Sequence, residues 1–409
     1  ETLYKYMKEG LELPEKSIVI TFDDGRLDSL YNGNPTLKAL DYQAIMFIIT
    51  AYSLSEEGSS YYINGDQLIQ MEKNGTWDVQ AHTEKGHDSP VTGPDGLTGH
   101  FFSHKLWLEE EGRPETEDEF RERVSDDLDK AKSRLSVLLN KEIVAFAFPF
   151  GDFGQHATNF SGAKDIMLEL MEEKYRLGFF QDAPGFRFSE NYPATDSGNN
   201  LAMIRRIDIN PSWSGDELLD RLKQSQAKSL PYEDDFSKNN GWIAAWGNID
   251  IAPSQMSISP KSLTAESDAQ TGGATILDGT RAWKNYEINM TLEVPNLNSA
   301  FIWARFRDDD NNASCNFGNG FAHAEQIING EQRVLRGIRG PEITIPRGEF
   351  EARVKVEGRH ISCFINNRLV VESYFMDENL DSGGIGFKTW DPEIGRSILL
   401  VKKITANEL

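Results

Sequence analysis

The run Ser17-Ile18-Val19-Ile20-Thr21-Phe22-Asp23-Asp24-Gly25 decides how this chain is read. Its first six residues are rich in β-branched and aromatic side chains and read as a strand. That strand runs directly into two adjacent carboxylates and a glycine turn. Successive strand residues face opposite ways, but where the chain begins to curl both carboxylates can enter one cleft. Proteins built on parallel strands collect their chemistry at the C-terminal strand ends. Taken alone, Asp-Asp-Gly reads more readily as an acidic loop opening made of turn formers than as a site.

Moving outward from this strand, Ala44–Thr50, Asp78–Ala81, Val144–Phe148, Leu177–Gln181 and Leu201–Ile209 repeat the short apolar pattern. A helix separates two of them. Thr116 and Glu119 form a capping box, Phe120, Val124, Leu128, Ala131, Leu135 and Leu138 recur at spacings of three and four, and Asn140 ends it. Strands alternating with helices imply parallel pairing, as a sheet or a barrel. After Leu230-Pro231 the pattern changes. Tyr286–Val294, Phe350–Val356 and Ile361–Ile365 alternate apolar and polar residues, with turns at Asn329-Gly330 and Asn366-Asn367. Regular short strands with frequent turns are the pattern of a β-sandwich. The fold class is therefore α/β plus all-β, with domains at 1–230 and 231–409.

Two further strand ends carry chemistry. Asp78–Ala81 leads into His82-Thr83-Glu84-Lys85-Gly86-His87, which places two of only seven histidines five residues apart around a glycine-containing turn. Two neutral imidazoles and one carboxylate, Asp24, make a three-ligand site with open positions, suited to Zn²⁺ or a similar divalent ion. Phe146-Ala147-Phe148-Pro149-Phe150-Gly151 closes another strand. Its Pro and Gly force a sharp turn that can present a backbone N–H to a cleft.

Together these motifs resemble the polysaccharide deacetylase family (NodB-homology, carbohydrate esterase family four). The resemblance runs over roughly residues 10–225 and implies a distorted (β/α) barrel. It places the catalytic base at Asp23, metal ligands at Asp24, His82 and His87, and an oxyanion-binding N–H at Phe150. The gap between the two histidines is one residue longer than in many members. It looks like the branch that deacetylates poly-β-1,6-N-acetylglucosamine. The implied activity is metal-dependent hydrolysis of an N-acetyl group on a glycan, with zinc as the ion and cobalt or nickel as substitutes. Two departures stand out. Val144 occupies a position where the family often has Arg, and no Leu-x-His supplies the family's general acid. Arg206 and Asp208 end a strand, where Arg206 could orient Asp23 or simply form a structural salt bridge. His100 and His104 read as surface residues of an insertion. Two other readings stay open: an O-acetyl (xylan-type) sugar esterase, and a catalytically retired glycan-binding protein.

The second half resembles jelly-roll, lectin-like sandwiches of the concanavalin A and laminin-G type, and sugar binding by it is an expectation. Asp308-Asp309-Asp310-Asn311-Asn312 offers oxygen donors for Ca²⁺, but its composition is that of a hairpin turn. Trp242, Trp246, Trp283, Trp303 and Trp390 read as core rather than as sugar platforms, with room for one or two to be exposed. Cys315 and Cys363 could bridge, yet as small buried hydrophobes they need no further role. A net charge of −23 argues against nucleic acid and anionic lipid as partners. No apolar run approaches the ~18 residues of a membrane span. With no initiator Met and no signal-peptide pattern at Glu1, the expectation is a secreted or cell-surface monomer whose leader is absent, acting on an acetylated glycan.

Overall fold

The six apolar runs of the first half pair as one all-parallel sheet. A computed structural model describes every residue except 15, 183–190, 192–200, 262–270, 342, 376, 378, 379 and 394. Strands β1 (Ile20–Phe22), β2 (Ala44–Ile49), β3 (Trp77–Thr83), β6 (Ala145–Ala147), β7 (Leu177–Asp182) and β8 (Ile204–Ile207) stand in that order. The two-residue strands β4 (Trp107–Leu108) and β5 (Arg113–Pro114) form a separate ribbon. Sequential order with every neighbour parallel gives an open (β/α) half-barrel, and it puts all six C-terminal strand ends along one rim. The strands expected over 17–22 and 201–209 are shorter, at Ile20–Phe22 and Ile204–Ile207. Ile18 and Val19 are mostly exposed, so the start of the first run has no packing to hold it in the sheet.

Helices α1 (Thr2–Glu9), α2 (Leu27–Ala39), α3 (Thr50–Ser53), α4 (Gly65–Lys73), α5 (Glu117–Leu139) and α6 (Ala163–Lys174) accompany this sheet. In α5 the capping box forms as its residues dictate, and Asn140 ends the helix in the left-handed conformation at φ 50°. Phe120, Val124, Leu128, Ala131 and Leu135 are fully buried in one cluster with Val79, Ala81 and Phe146. Burying each of the Phe, Val and Leu side chains contributes about 1.5–3 kcal/mol before entropy is counted. The other sheet face has its own cluster of Phe47, Ala145, Ala147, Phe179 and Ile204, joined by Met7 of α1.

Among the described residues, 1–182 and 201–208 cluster as one unit and 209–409 fall in a second. The second unit begins with helix α7 (Gly215–Gln224) and continues as antiparallel sheets of seven and eight described strands. Residues from both sheets share one core, including Ile302 and Phe387 from the first and Ile288 and Val354 from the second. The architecture is therefore sandwich-like. Asn366-Asn367 (φ 47° and 63°) and Asn329-Gly330 (φ 49° and 79°) make the two-residue turns their identities favour.

Two points that the sequence left open are answered here. Cys315 and Cys363 are not merely buried; they form a disulfide with Cα atoms 5.7 Å apart, joining one strand of each sheet. Trp242, Trp283 and Trp303 are buried, Trp246 is half-buried, and Trp390 is the exposed one at 43%. The Asp308–Asn312 segment is a hairpin turn in which Asp308 accepts from the Asp310 N–H and the Asn311 side chain.

Candidate metal centre

The turn after β1 brings the first carboxylate into place. Asp24 and Gly25 both adopt left-handed backbone conformations, φ 69° and 72°. For an aspartate this is sparsely populated, and such residues concentrate at functional sites. Gly25 has a second constraint, since a Cβ there would lie 2.9 Å from Ile48 Cδ1.

His82 lies near the end of β3 and is 1% exposed. Its Nδ1–H donates to the Ala147 carbonyl on β6 at 2.7 Å. A carbonyl can only accept, so this bond fixes the tautomer and leaves the Nε2 lone pair free. That Nε2 stands 3.4 Å from Asp24 Oδ1, and His87 Nε2 stands at the same distance. One ligand atom from each of the three residues lies within 4.8 Å of the others, and no other such group occurs among the described residues. Burial, then His82 itself, pushes the His87 ring toward its neutral form against the pull of Asp24. Burial alone would raise the Asp24 carboxyl; His82, and then His87, while they carry a proton, pull it below its usual range, so Asp24 is already ionised before either ring becomes neutral. Ionised carboxylate, neutral imidazole and a preset tautomer together fit a divalent cation.

The loop between the histidines is pinned from beneath. Asp127, buried on α5, accepts from Thr83 Oγ1 (2.6 Å), Glu84 N (3.1 Å) and Lys85 N (2.6 Å). Thr83 Oγ1 in turn accepts from Gly86 N. Gly86 leaves no room for a side chain, because a Cβ would meet the Phe102 ring at 2.3 Å.

Asp23 is held off this trio by a different partner. Arg206, in β8, makes a two-pronged ion pair with it at 2.6 and 2.8 Å and reaches Thr21 Oγ1 at 3.1 Å. Side chains thus link the first and last strands of the open sheet. Burial favours a protonated Asp23, but the Arg206 guanidinium, with His82 and His87, outweighs it and keeps the carboxyl below its ordinary range. No hydrogen bond or ion pair among the described residues ties Asp208 to this group.

Phe150 follows β6 with φ 59°, and its ring is 44% exposed. The ring lies 4.2 Å from that of His87 and 4.8 Å from that of His100, stacked on the latter. Of the two histidines the sequence suggested as surface residues, His100 keeps 37% of its side chain exposed and His104 does not reach the surface. His104 is buried, bonded to Thr158 Oγ1 at 3.0 Å. His100 Nδ1 meets Asp152 Oδ2 at 2.6 Å, and buried Asp152 also accepts from Ser103 Oγ and Gly154 N. Asp127, Asp152 and His100 were missed because their partners are remote in sequence; only the position of Asp152, directly after Phe150-Gly151, hinted at a role. Also missed was an aromatic wall beside Asp24. Tyr62 bridges Arg26, and its ring packs 4.9 Å from both Tyr52 and Tyr61.

Residues 10–166 match the family described as polysaccharide deacetylase. A poly-beta-1,6-N-acetyl-D-glucosamine N-deacetylase of Escherichia coli (strain K12) is 24% identical over 155 residues, 35% of this chain and 23% of the relative. The chain thus matches about a quarter of that relative's length. The BpsB deacetylase domain from Bordetella bronchiseptica is 23% identical, covering 48% of this chain and 74% of that one, at a TM-score of 0.40. The carbohydrate binding module CBM66 from Bacillus subtilis is 13% identical, covering 41% and 96%, at 0.33. On its motifs, its all-parallel half-barrel and its family match, the N-terminal part of this chain is a polysaccharide deacetylase domain.

Proposed function

We propose that the chain hydrolyses N-acetyl groups on a polysaccharide of the poly-N-acetylglucosamine kind, using one divalent ion, preferably zinc, with cobalt or nickel able to replace it. The observation that carries this reading is the convergence of Asp24, His82 and His87 with an Arg206-bound Asp23 beside them. Asp24 Oδ1 and the two Nε2 atoms would hold the ion. When bound, it supplies Lewis acidity that polarises the acetyl carbonyl and acidifies the attacking water.

Asp23 takes the proton from that water. Arg206 suits it to the task by keeping it ionised and aimed from one side. The Phe150 N–H, placed by its left-handed backbone, donates to the oxygen that gains charge as the carbonyl is attacked. Tyr52, Tyr61 and Tyr62 offer flat apolar faces for sugar rings next to Asp24. Residues 1–230 would carry this chemistry, and the sandwich over 231–409 would capture glycan. The disulfide supports a secreted or surface location, since such bonds persist in oxidising compartments. Among the described residues no helix is long and apolar enough to cross a membrane.

Acetate release from a panel of N- and O-acetylated glycans tests the proposal. The expected result is release from β-linked N-acetylglucosamine oligomers, abolished by a chelator and restored by zinc, cobalt or nickel. Release confined to O-acetyl esters would replace the amide reading with an esterase, and glycan binding without any release would mark a retired enzyme.

A further inference from the structure

Amide hydrolysis at this centre leaves one proton unaccounted for. An amine cannot depart as its anion, so the nitrogen must gain a proton as the C–N bond breaks. Asp23 begins the reaction ionised and accepts a proton. Arg206 holds both Asp23 oxygens from the opposite side. A separate donor near the rim would divide the two tasks between two groups.

Three histidines of the first unit lie outside the metal trio. His104 is buried, with one ring nitrogen on Thr158 and the other against the His100 carbonyl. His156 is exposed. His100 differs from both. Its Nδ1 is committed to Asp152, a carboxylate 1% exposed and itself fixed by Ser103 and the Gly154 N–H. That commitment leaves Nε2, across the ring, without a hydrogen-bond partner among the described residues. The ring stacks on Phe150, whose other neighbour is the ligand His87, so one phenyl ring separates His100 from the metal centre. The groups facing His100 are Asp152, the His156 ring at 6.0 Å and the backbone-linked His104.

We propose that His100, oriented by Asp152, is the acid that protonates the departing nitrogen. The inference rests on the amide-hydrolysis reading above. As the C–N bond breaks, its electron pair goes to nitrogen and the Nε2 proton of His100 follows. His100 ends neutral, Asp23 ends carrying the proton taken from water, and exchange with solvent resets both. Asp152 keeps its hydrogen bond to Nδ1 throughout, which fixes the ring and leaves Nε2 as the nitrogen that gives up its proton.

The test compares a soluble N-acetylglucosamine oligomer with an aryl acetate, whose leaving group needs no proton. In the metal-loaded His100→Gln protein the ratio of amide to ester kcat should fall about 10²–10⁴-fold. Amide KM should change little, and the alkaline limb of the amide pH profile should disappear. Asp152→Asn should fall in the same direction by less, and added imidazole should restore part of the amide rate of His100→Ala. In the metal-free protein, proton NMR should show a strongly deshielded Nδ1 proton that vanishes in both His100→Gln and Asp152→Asn. Equal losses on amide and ester, or an unchanged amide rate in His100→Gln, would overturn this role while leaving the deacetylase reading intact. Wild-type turnover of ester with no amide in the panel would overturn both.

Discussion

At the scale of single residues, the two adjacent aspartates divide their labour because their partners differ. Asp24 faces two imidazole nitrogens, whereas Asp23 is clasped by Arg206 on both oxygens. Replacing Asp23 by Asn removes the base and leaves the three donors in place. Asp23→Asn should therefore keep about one metal ion per chain while losing roughly two to four orders of magnitude in rate. Asp24→Asn and His82→Ala should lose the metal as well, with the fold retained. Metal analysis beside initial rates decides the matter, and metal loss from Asp23→Asn equal to that from Asp24→Asn would reverse the assignment. These four residues were legible because each stands at a strand end in a short, unusual string. Arg206 was legible only as a candidate, since its partner lies more than 180 positions away and two readings fitted it equally.

At the scale of elements, α5 shows how far local sequence reaches and where it stops. Its start, its end and its apolar face all followed from caps and a spacing of three and four. Its buried Asp127 broke that apolar pattern without announcing the loop it holds, because the N–H groups of Glu84 and Lys85 come from another element. The N-terminus of α5 also yields a pH dependence. Glu119 is held at about 2, against an ordinary 4.5, first by its paired hydrogen bonds with Arg113 and then by Thr116. A depressed carboxyl binds its proton less readily folded than unfolded. Its stabilising contribution is therefore complete above pH 4.5 and fades as pH falls toward 2. Glu119 is solvent-exposed, so screening keeps the effect small. Thermal melts of Glu119→Gln beside the parent should show a gap at neutral pH that narrows steadily through this window. A gap that stays constant down to pH 3 would show that the ion pair contributes nothing through this carboxyl.

At the scale of the whole molecule, the change of sequence pattern and the division of contacts fall in different places. Composition changes at Leu230-Pro231, where helical periodicity gives way to alternation. Contacts instead divide at 208/209, with α7 in the second unit. The bonds around Lys228 explain the difference. The Lys228 N–H donates to Gly279 O at 2.7 Å, its ammonium reaches Asp278 O at 2.6 Å, and its carbonyl accepts from the Trp283 indole at 2.5 Å. Such links join residues some fifty positions apart, so no reading of local pattern could have found them. They also bear on where the chain can be cut. A fragment of residues 1–230 would carry α7 and Lys228 without these partners, and a ten-residue helix is marginal by itself. A fragment of residues 209–409 would keep them all, together with the Cys315–Cys363 bridge. We expect backbone amides over 215–228 to be protected from hydrogen exchange in the 209–409 fragment and unprotected in the 1–230 fragment. Metal binding by Asp24, His82 and His87 should survive in 1–230, because every bond described around those three residues lies within the first unit. Strong protection of 215–228 in the 1–230 fragment would put the boundary back at Leu230-Pro231, where the sequence pattern alone had set it.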